Sequence, residues 1–163
     1  MRISFNTKRL VVSPIKDTGS IKPVIILEIL TPKATAQLPN SWQAINTEEA
    51  ARAWLKERLL EGQVYKISTK ESLSIIGFLF LYEMKVTEGR EVRIGYLISE
   101  QFWHQGLASE LIGGLIEKSA QESVTQLIGG VTKSNLASIK VLTKNRFTLD
   151  SYEGETEFYI YYF

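Results

Sequence analysis

The stretch that most limits the fold runs from Ile94 to Ser119 and reads IGYLISEQFWHQGLASELIGGLIEKS. A β-branched segment ends near Ile98, a loop passes through Gly106, and a helix opens at about Ala108. Ala108, Leu111, Ile112, Leu115, Ile116 and Ser119 recur at i, i+3, i+4, i+7 and i+8, so they share one helix face, and that face must lie on a sheet. A helix N-terminus leaves backbone N–H groups without partners and carries the positive end of the helix dipole, so it favours an anion. Gly106 lets the backbone approach that anion, and the small Ala108 and Ser109 keep the first turn uncrowded. The same residues also describe an ordinary tight turn between a strand and a helix. The stretch is not a P-loop, for no Gly-Lys-Ser/Thr follows. It is not a dinucleotide fingerprint either, for the three glycines at the required spacing are absent.

Around this run the chain reads as one mixed sheet with helices. Arg9 to Ile15 reads as a strand with Pro14 near its end. Residues 20–30, SIKPVIILEIL, suit either a β-rich strand or a short helix opened by Pro23. Asn46 to Gly62 reads as a helix, with Asn46 as cap, Glu49 in capping-box position, Ala50, Trp54, Leu55, Arg58 and Leu59 at helical spacing, and Gly62 as the stop. Val64–Ser68, Leu73–Tyr82 and Val92–Ile98 read as an antiparallel meander joined by the polar links TKES and VTEGRE. The helix from Ala108 runs to about Gln121. Then follow a strand Thr125–Val131, a short helix Leu136–Lys144, and strands Phe147–Tyr152 and Glu157–Phe163 joined by EGE. The expected class is α/β (α+β), a mixed, mostly antiparallel central sheet flanked by helices. No repeat, low-complexity tract or linker interrupts it, so residues 1–163 are expected to form a single domain.

Composition narrows the chemistry. The chain is 44% hydrophobic and 23% charged, enough apolar material for a packed core. Nineteen Lys and Arg against eighteen Asp and Glu give a formal charge of +1, without the strong basic field of a nucleic-acid binder. There are no cysteines and one histidine, His104, which excludes disulfides, thiolate nucleophiles and histidine-rich metal sites. The start, MRISFNTKRLVVSP, is broken by charges and does not read as a targeting signal. Val24 to Leu30 is the longest apolar stretch, contains Glu28, and falls well short of the roughly 18 residues a membrane span needs. A cytoplasmic protein is expected, with no membrane and no nucleic acid among its partners.

A second constellation, KSNLASIKVLTKNRF, lies some thirty residues further on. With it, the chain resembles the GNAT superfamily of acyl-coenzyme A-dependent N-acyltransferases, in particular the RimJ/RimL-like branch, over almost its whole length. The branch's T-x-R-L is matched by Thr7, Arg9 and Leu10, its I-G-Y by Ile94, Gly95 and Tyr96, its W-x-x-G-x-A-x-E by Trp103, Gly106, Ala108 and Glu110, and its N-x-x-S-x-x-x-L by Asn135, Ser138 and Leu142. Two departures stand out. Trp103 occupies a position where the wider superfamily has Gln or Arg. The usual K-x-G-F reads Lys144, Asn145, Arg146, Phe147, so Arg146 replaces a glycine that commonly takes a left-handed backbone, and Asn145 is the residue left to cap the helix.

The resemblance implies a pair of splayed strands holding acetyl-CoA, with main-chain groups of Leu97, Ile98 and Ser99 along the pantetheine arm. It implies the amides of His104, Gln105, Gly106, Leu107, Ala108 and Ser109 on the diphosphate. Asn135 and Ser138 match positions near pantetheine and the thiol, although Asn135 also suits a plain helix cap. The activity implied is acetyl transfer from acetyl-CoA to a primary amine, either a protein N-terminal α-amino group or a small-molecule amine, by direct attack on the thioester. The alternative is a non-catalytic acyl-CoA-binding module. Many relatives carry a Tyr as thiolate acid seven residues after the Asn; here that residue is Leu142, which leaves Ser138 as proton donor or as a small packed residue. Glu83 and Glu91 are candidate bases or solvated strand ends. His104 is read as a phosphate contact or exposed residue, and Glu110 as a partner of the helix dipole. Trp42 and Trp54 line an acceptor pocket or pack in the core. Asp150, Glu153, Glu155 and Glu157 attract a cationic acceptor or form a solvated turn. Monomer and homodimer are both open.

Overall fold

The computed structural model describes residues 3–84, 86–87 and 89–163. Glu88, within the VTEGRE link, lies outside them. Eight strands form one sheet in the order β1-β2-β3-β4-β5-β6-β8-β7. They are β1 (Phe5–Asn6), β2 (Leu10–Pro14), β3 (Gln63–Thr69), β4 (Ile75–Met84), β5 (Glu91–Ile98), β6 (Gln126–Thr132), β7 (Thr148–Glu153) and β8 (Thr156–Tyr162). All neighbours are antiparallel except β5 and β6, the pair joined through a crossover helix. The mixed, mostly antiparallel sheet is therefore the architecture expected, and β3, β4 and β5 form the meander.

Five α-helices flank it: α1 (Pro23–Ile29), α2 (Pro32–Thr35), α3 (Glu48–Glu61), α4 (Leu107–Ala120) and α5 (Leu136–Lys144). The ambiguous segment is helical, with Pro23 in its first turn, where the missing N–H costs nothing, and Ile26 and Ile29 buried. The cap of α3 is Thr47, one residue after Asn46. Its hydroxyl accepts from the Ala50 amide at 3.1 Å and puts Glu48 and Glu49 in the first turn. β4 starts at Ile75 because Leu73 takes a positive φ of 56° and belongs to the turn. The helix-ending glycine position is filled by Arg146 itself, at φ 66°, while Asn145 is the C-cap at φ −92°. The Arg146 amide bonds Thr143 O at 3.0 Å and the Phe147 amide bonds Leu142 O at 3.1 Å, which closes a Schellman motif.

Each sheet face has its own core. Leu111, Ile112 and Leu115 of α4 and Leu142 of α5 pack on Val92, Ile94, Ile98 and Leu127. On the other face, Ile26 and Ile29 of α1 and Trp54 and Leu55 of α3 pack on Phe78, Phe80 and Leu97. Trp42 joins this second core edge-on, 5.4 Å from Trp54 and 4.8 Å from Phe80, so both tryptophans are core residues. Among the described residues no helix is long and apolar enough to cross a membrane.

Candidate active site

Two strands part company in the middle of the sheet. β5 and β6 pair from Glu91↔Gln126 to Ile94↔Gly129 and no further. Beyond that point β5 stays on β4 as far as Ile98↔Gly77, and β6 stays on β8 as far as Thr132↔Thr156. The two strands therefore keep their outer partners while their facing edges diverge. The Ser99 amide donates to Ile76 O at 2.8 Å, which sets the phase of the ladder. By alternation, Leu97 also faces β4, and the N–H and C=O of Ile98 face the gap. The Ile98 carbonyl is taken by the Trp103 indole N–H at 2.7 Å, which leaves the Ile98 amide for the gap. Gly129 is where β6 turns away, and a Cβ there would come within 2.8 Å of Leu142.

Below the gap, β5 runs through a short 3-10 turn (Glu100–Phe102) into the loop that opens α4. His104 and Gly106 are both left-handed, at φ 60° and 75°. For Gly106 this is free of strain, but a histidine in that region stores about 1–2 kcal/mol. Among the described residues no carbonyl accepts from the amides of His104, Gln105, Gly106, Leu107, Ala108 or Ser109. Six N–H groups thus stand open at the positive end of a fourteen-residue helix.

A cavity of about 510 Å³ runs along these amides and up the gap, a volume suited to a cofactor-sized ligand. Lys33, Lys140 and Lys144 line it, and no carboxylate does among the described residues. Lys33 also stands 5.4 Å over the Trp103 ring. Lys144 is the Lys of the K-x-G-F match and Lys140 lies one turn before it on α5, whereas Lys33 comes from α2 and joins them only through the fold. Of the site residues expected from the sequence, Leu97, Ile98, His104, Gly106, Leu107, Ala108, Ser109, Asn135 and Ser138 line the cavity. Asn135 caps α5, accepting from the Ser138 amide at 3.2 Å. The Ser99 amide is already spent on Ile76.

A second cavity, about 380 Å³, adjoins the first and shares Gln37, Leu38, Tyr96, Asn135 and Ser138 with it. Its walls include Gly95, Gly129, Gly130, Thr132 and Thr156, again with no carboxylate among the described residues. Tyr96, the last residue of the I-G-Y match, carries no role in the sequence reading but lies between the two cavities' linings. Its hydroxyl is buried without a hydrogen bond of normal geometry. Burial pushes the phenol up to about 12, against a smaller opposite pull from the Ser138 hydroxyl, so it stays protonated across the working pH range. The hydroxyl stands beside Ser138, and both residues line both cavities.

Glu83 is not brought to this place. It pairs with Val92 in register, six residues along β5 from Ile98 and so roughly 20 Å away, with Arg90 at 3.9 Å. Glu91 sits still further down the same strand. Glu110 sits in the first turn of α4, as expected of a partner of the helix dipole, and holds further partners there. Desolvation raises its pKa, but the Thr7 hydroxyl, the Arg9 amide and the Arg9 guanidinium outweigh that and hold the carboxyl below its ordinary range. Those three contacts are each 2.6 Å long. In the last hairpin, Glu155 lies 3.8 Å from Lys133 and Glu157 accepts from the Tyr159 hydroxyl at 2.8 Å.

The one parallel strand pair thus splays beside a helix start whose amides are unused. Residues 9–148 match the model of the acetyltransferase (GNAT) domain, and the chain belongs to that family. A comparison with curated protein sequences returns no match. Among solved structures it is similar to a GNAT-family acetyltransferase from Bacillus anthracis, with a TM-score of 0.81 at 14% identity over 98% of each chain. It is also similar to RimL, the ribosomal L7/L12 alpha-N-protein acetyltransferase in complex with coenzyme A, with a TM-score of 0.79 at 20% identity over 98% of each chain. A third is FdhC, a nucleotide-linked sugar GNAT, with a TM-score of 0.72 at 15% identity over 99% of this chain and 91% of that one.

Proposed function

We propose that the protein is an acetyl-coenzyme A-dependent N-acetyltransferase for a primary amine, either a protein N-terminal α-amino group or a small-molecule amine. One catalytic domain, residues 1–163, and a cytoplasmic setting belong to the same reading. The observation that carries it is a line of unused amides in two parts, Ile98 in the gap and His104 to Ser109 at the start of α4, flanked by three lysines and, among the described residues, no carboxylate. An anion with a slender amide-bearing arm matches that line; a compact anion would leave the gap unused. Coenzyme A bound to RimL supports the choice of donor.

Acetyl-coenzyme A, when bound, supplies an acyl group activated as a thioester for attack by a neutral amine. On this chain the loop amides and lysines hold phosphate charge. The Ile98 N–H polarises an acyl carbonyl in the gap, where little water competes for it. Tyr96, with Ser138 beside it, keeps a proton available at its hydroxyl for a departing thiolate. The amine comes from the second cavity and loses its proton to water, since no carboxylate lines either space among the described residues. That last observation also favours the binding-module alternative, and one experiment separates the two. Calorimetric titration with coenzyme A should show saturable binding, and thiol release from acetyl-CoA should appear on at least one member of an amine and N-terminal peptide library. Absence of binding rejects both readings; binding with silence across the library leaves the module.

A further inference from the structure

We infer that Arg9 is a positioning residue that aims the Gly106 amide into the cofactor cavity, with Glu110 as the clamp that keeps Arg9 in place; this rests on the acyl-coenzyme A reading above. The Arg9 Nη1 donates to the Gln105 carbonyl at 2.9 Å. That carbonyl and the Gly106 N–H belong to one peptide plane, and in a trans peptide they point in opposite directions. Pinning the oxygen outside the loop therefore turns the Gly106 N–H inward. It also keeps a partial negative charge away from a site meant for phosphate. Unpinned, the plane is free to flip and present its oxygen to the cavity. Arg9 Nη2 lies 3.7 Å from where a Gly106 Cβ would be, so the guanidinium sits directly against the loop.

Arg9 is itself held from the helix that the loop opens. Its Nε meets Glu110 Oε2 and its backbone N–H meets Glu110 Oε1, each at 2.6 Å, and Thr7 donates to the same Oε1. Gly114 makes this approach possible, since a Cβ there would come within 2.6 Å of Thr7. The Thr7 and main-chain bonds tie the N-terminal segment to α4. The guanidinium does something more, because its rigid fork reaches Glu110 and Gln105 at once.

The test uses the full chain, calorimetry, and amide resonances of ¹⁵N-labelled protein titrated with coenzyme A. In Arg9→Met the affinity for coenzyme A should fall about tenfold or more, as expected for losing a charge-assisted hydrogen bond. At saturation the ligand-induced shift of the Gly106 amide should drop below about half its wild-type value while that of Ile98 persists, since a single reoriented peptide leaves the gap intact. Arg9→Lys, which keeps the charge but not the fork, should show the same split and covers the case in which the methionine variant folds poorly. Unchanged affinity with a full Gly106 shift would overturn the inference, and so would parallel loss of both shifts, which marks a general loosening. A wild-type protein that binds no coenzyme A would overturn the reading beneath it as well.

Discussion

At the scale of single residues, the structure holds two groups in conditions that stability alone does not favour. The Tyr96 hydroxyl is buried without a hydrogen bond of normal geometry. Tyr96→Phe removes that penalty and should leave stability unchanged or improved by up to about 1 kcal/mol, read from a denaturation midpoint. If the hydroxyl protonates the leaving sulfur, the same variant should lose about a hundredfold in kcat. A variant both less stable and equally active would contradict both halves of that argument. Arg146, by contrast, is strained with no ligand to show for it: it is exposed, left-handed and outside both cavities. Arg146→Gly should stabilise the fold by about 1 kcal/mol without altering coenzyme A affinity. A lowered midpoint would mean that the arginine side chain carries a contact of its own.

At the scale of elements, Glu110 joins the link between β1 and β2 to the first turn of α4, and its lowered pKa gives the joint a pH dependence. A carboxyl whose folded pKa lies below its unfolded value contributes stability that is whole above the unfolded pKa and is lost as pH falls through the folded one. The stability gap between wild type and Glu110→Gln should therefore be widest near neutrality and close on acidification, measured by urea midpoints at a series of pH values. A gap independent of pH would remove the carboxylate from the account. How much of these elements was legible follows from their length and chemistry. α4 is legible through an apolar stripe that runs the length of a fourteen-residue helix. The seven residues of α1 are too few for periodicity to separate helix from strand. Asn46 and Thr47 are both good caps, and only the Thr47 hydroxyl bond to Ala50 decides between them. The loop glycine and the capping Asn135 were visible because each answers a local backbone need. The meeting of Tyr96 with Ser138, forty-two positions apart on different elements, obeys no spacing rule, and neither does the approach of Lys33 to Lys140 and Lys144 or the displacement of Glu83 from the cavity.

At the scale of the molecule, the sheet is two antiparallel halves, β1 to β5 and β6 to β8, joined edge to edge by only four residue pairs. Helices α4 and α5 lie across the seam and supply the rest of the connection. The cavity draws its lining from both sides of that seam, with Leu97 and Ile98 on one and Asn135 and Ser138 on the other. A ligand seated there acts as a strut between the halves, in the place where β6 has withdrawn. Coenzyme A at a hundredfold excess over its Kd should add about 2.7 kcal/mol to stability, which for a chain of this size is a rise of roughly 5–10 °C in Tm. The location of the gain is the sharper test. The Ile98 amide, which faces the gap, should gain hydrogen-exchange protection on adding coenzyme A, whereas the Leu97 amide, turned towards β4, should change little. Protection rising equally at both would mean that the ligand tightens the sheet from elsewhere. Protection rising at neither, with Tm still raised, would put the coenzyme outside the gap and confine its grip to the loop before α4.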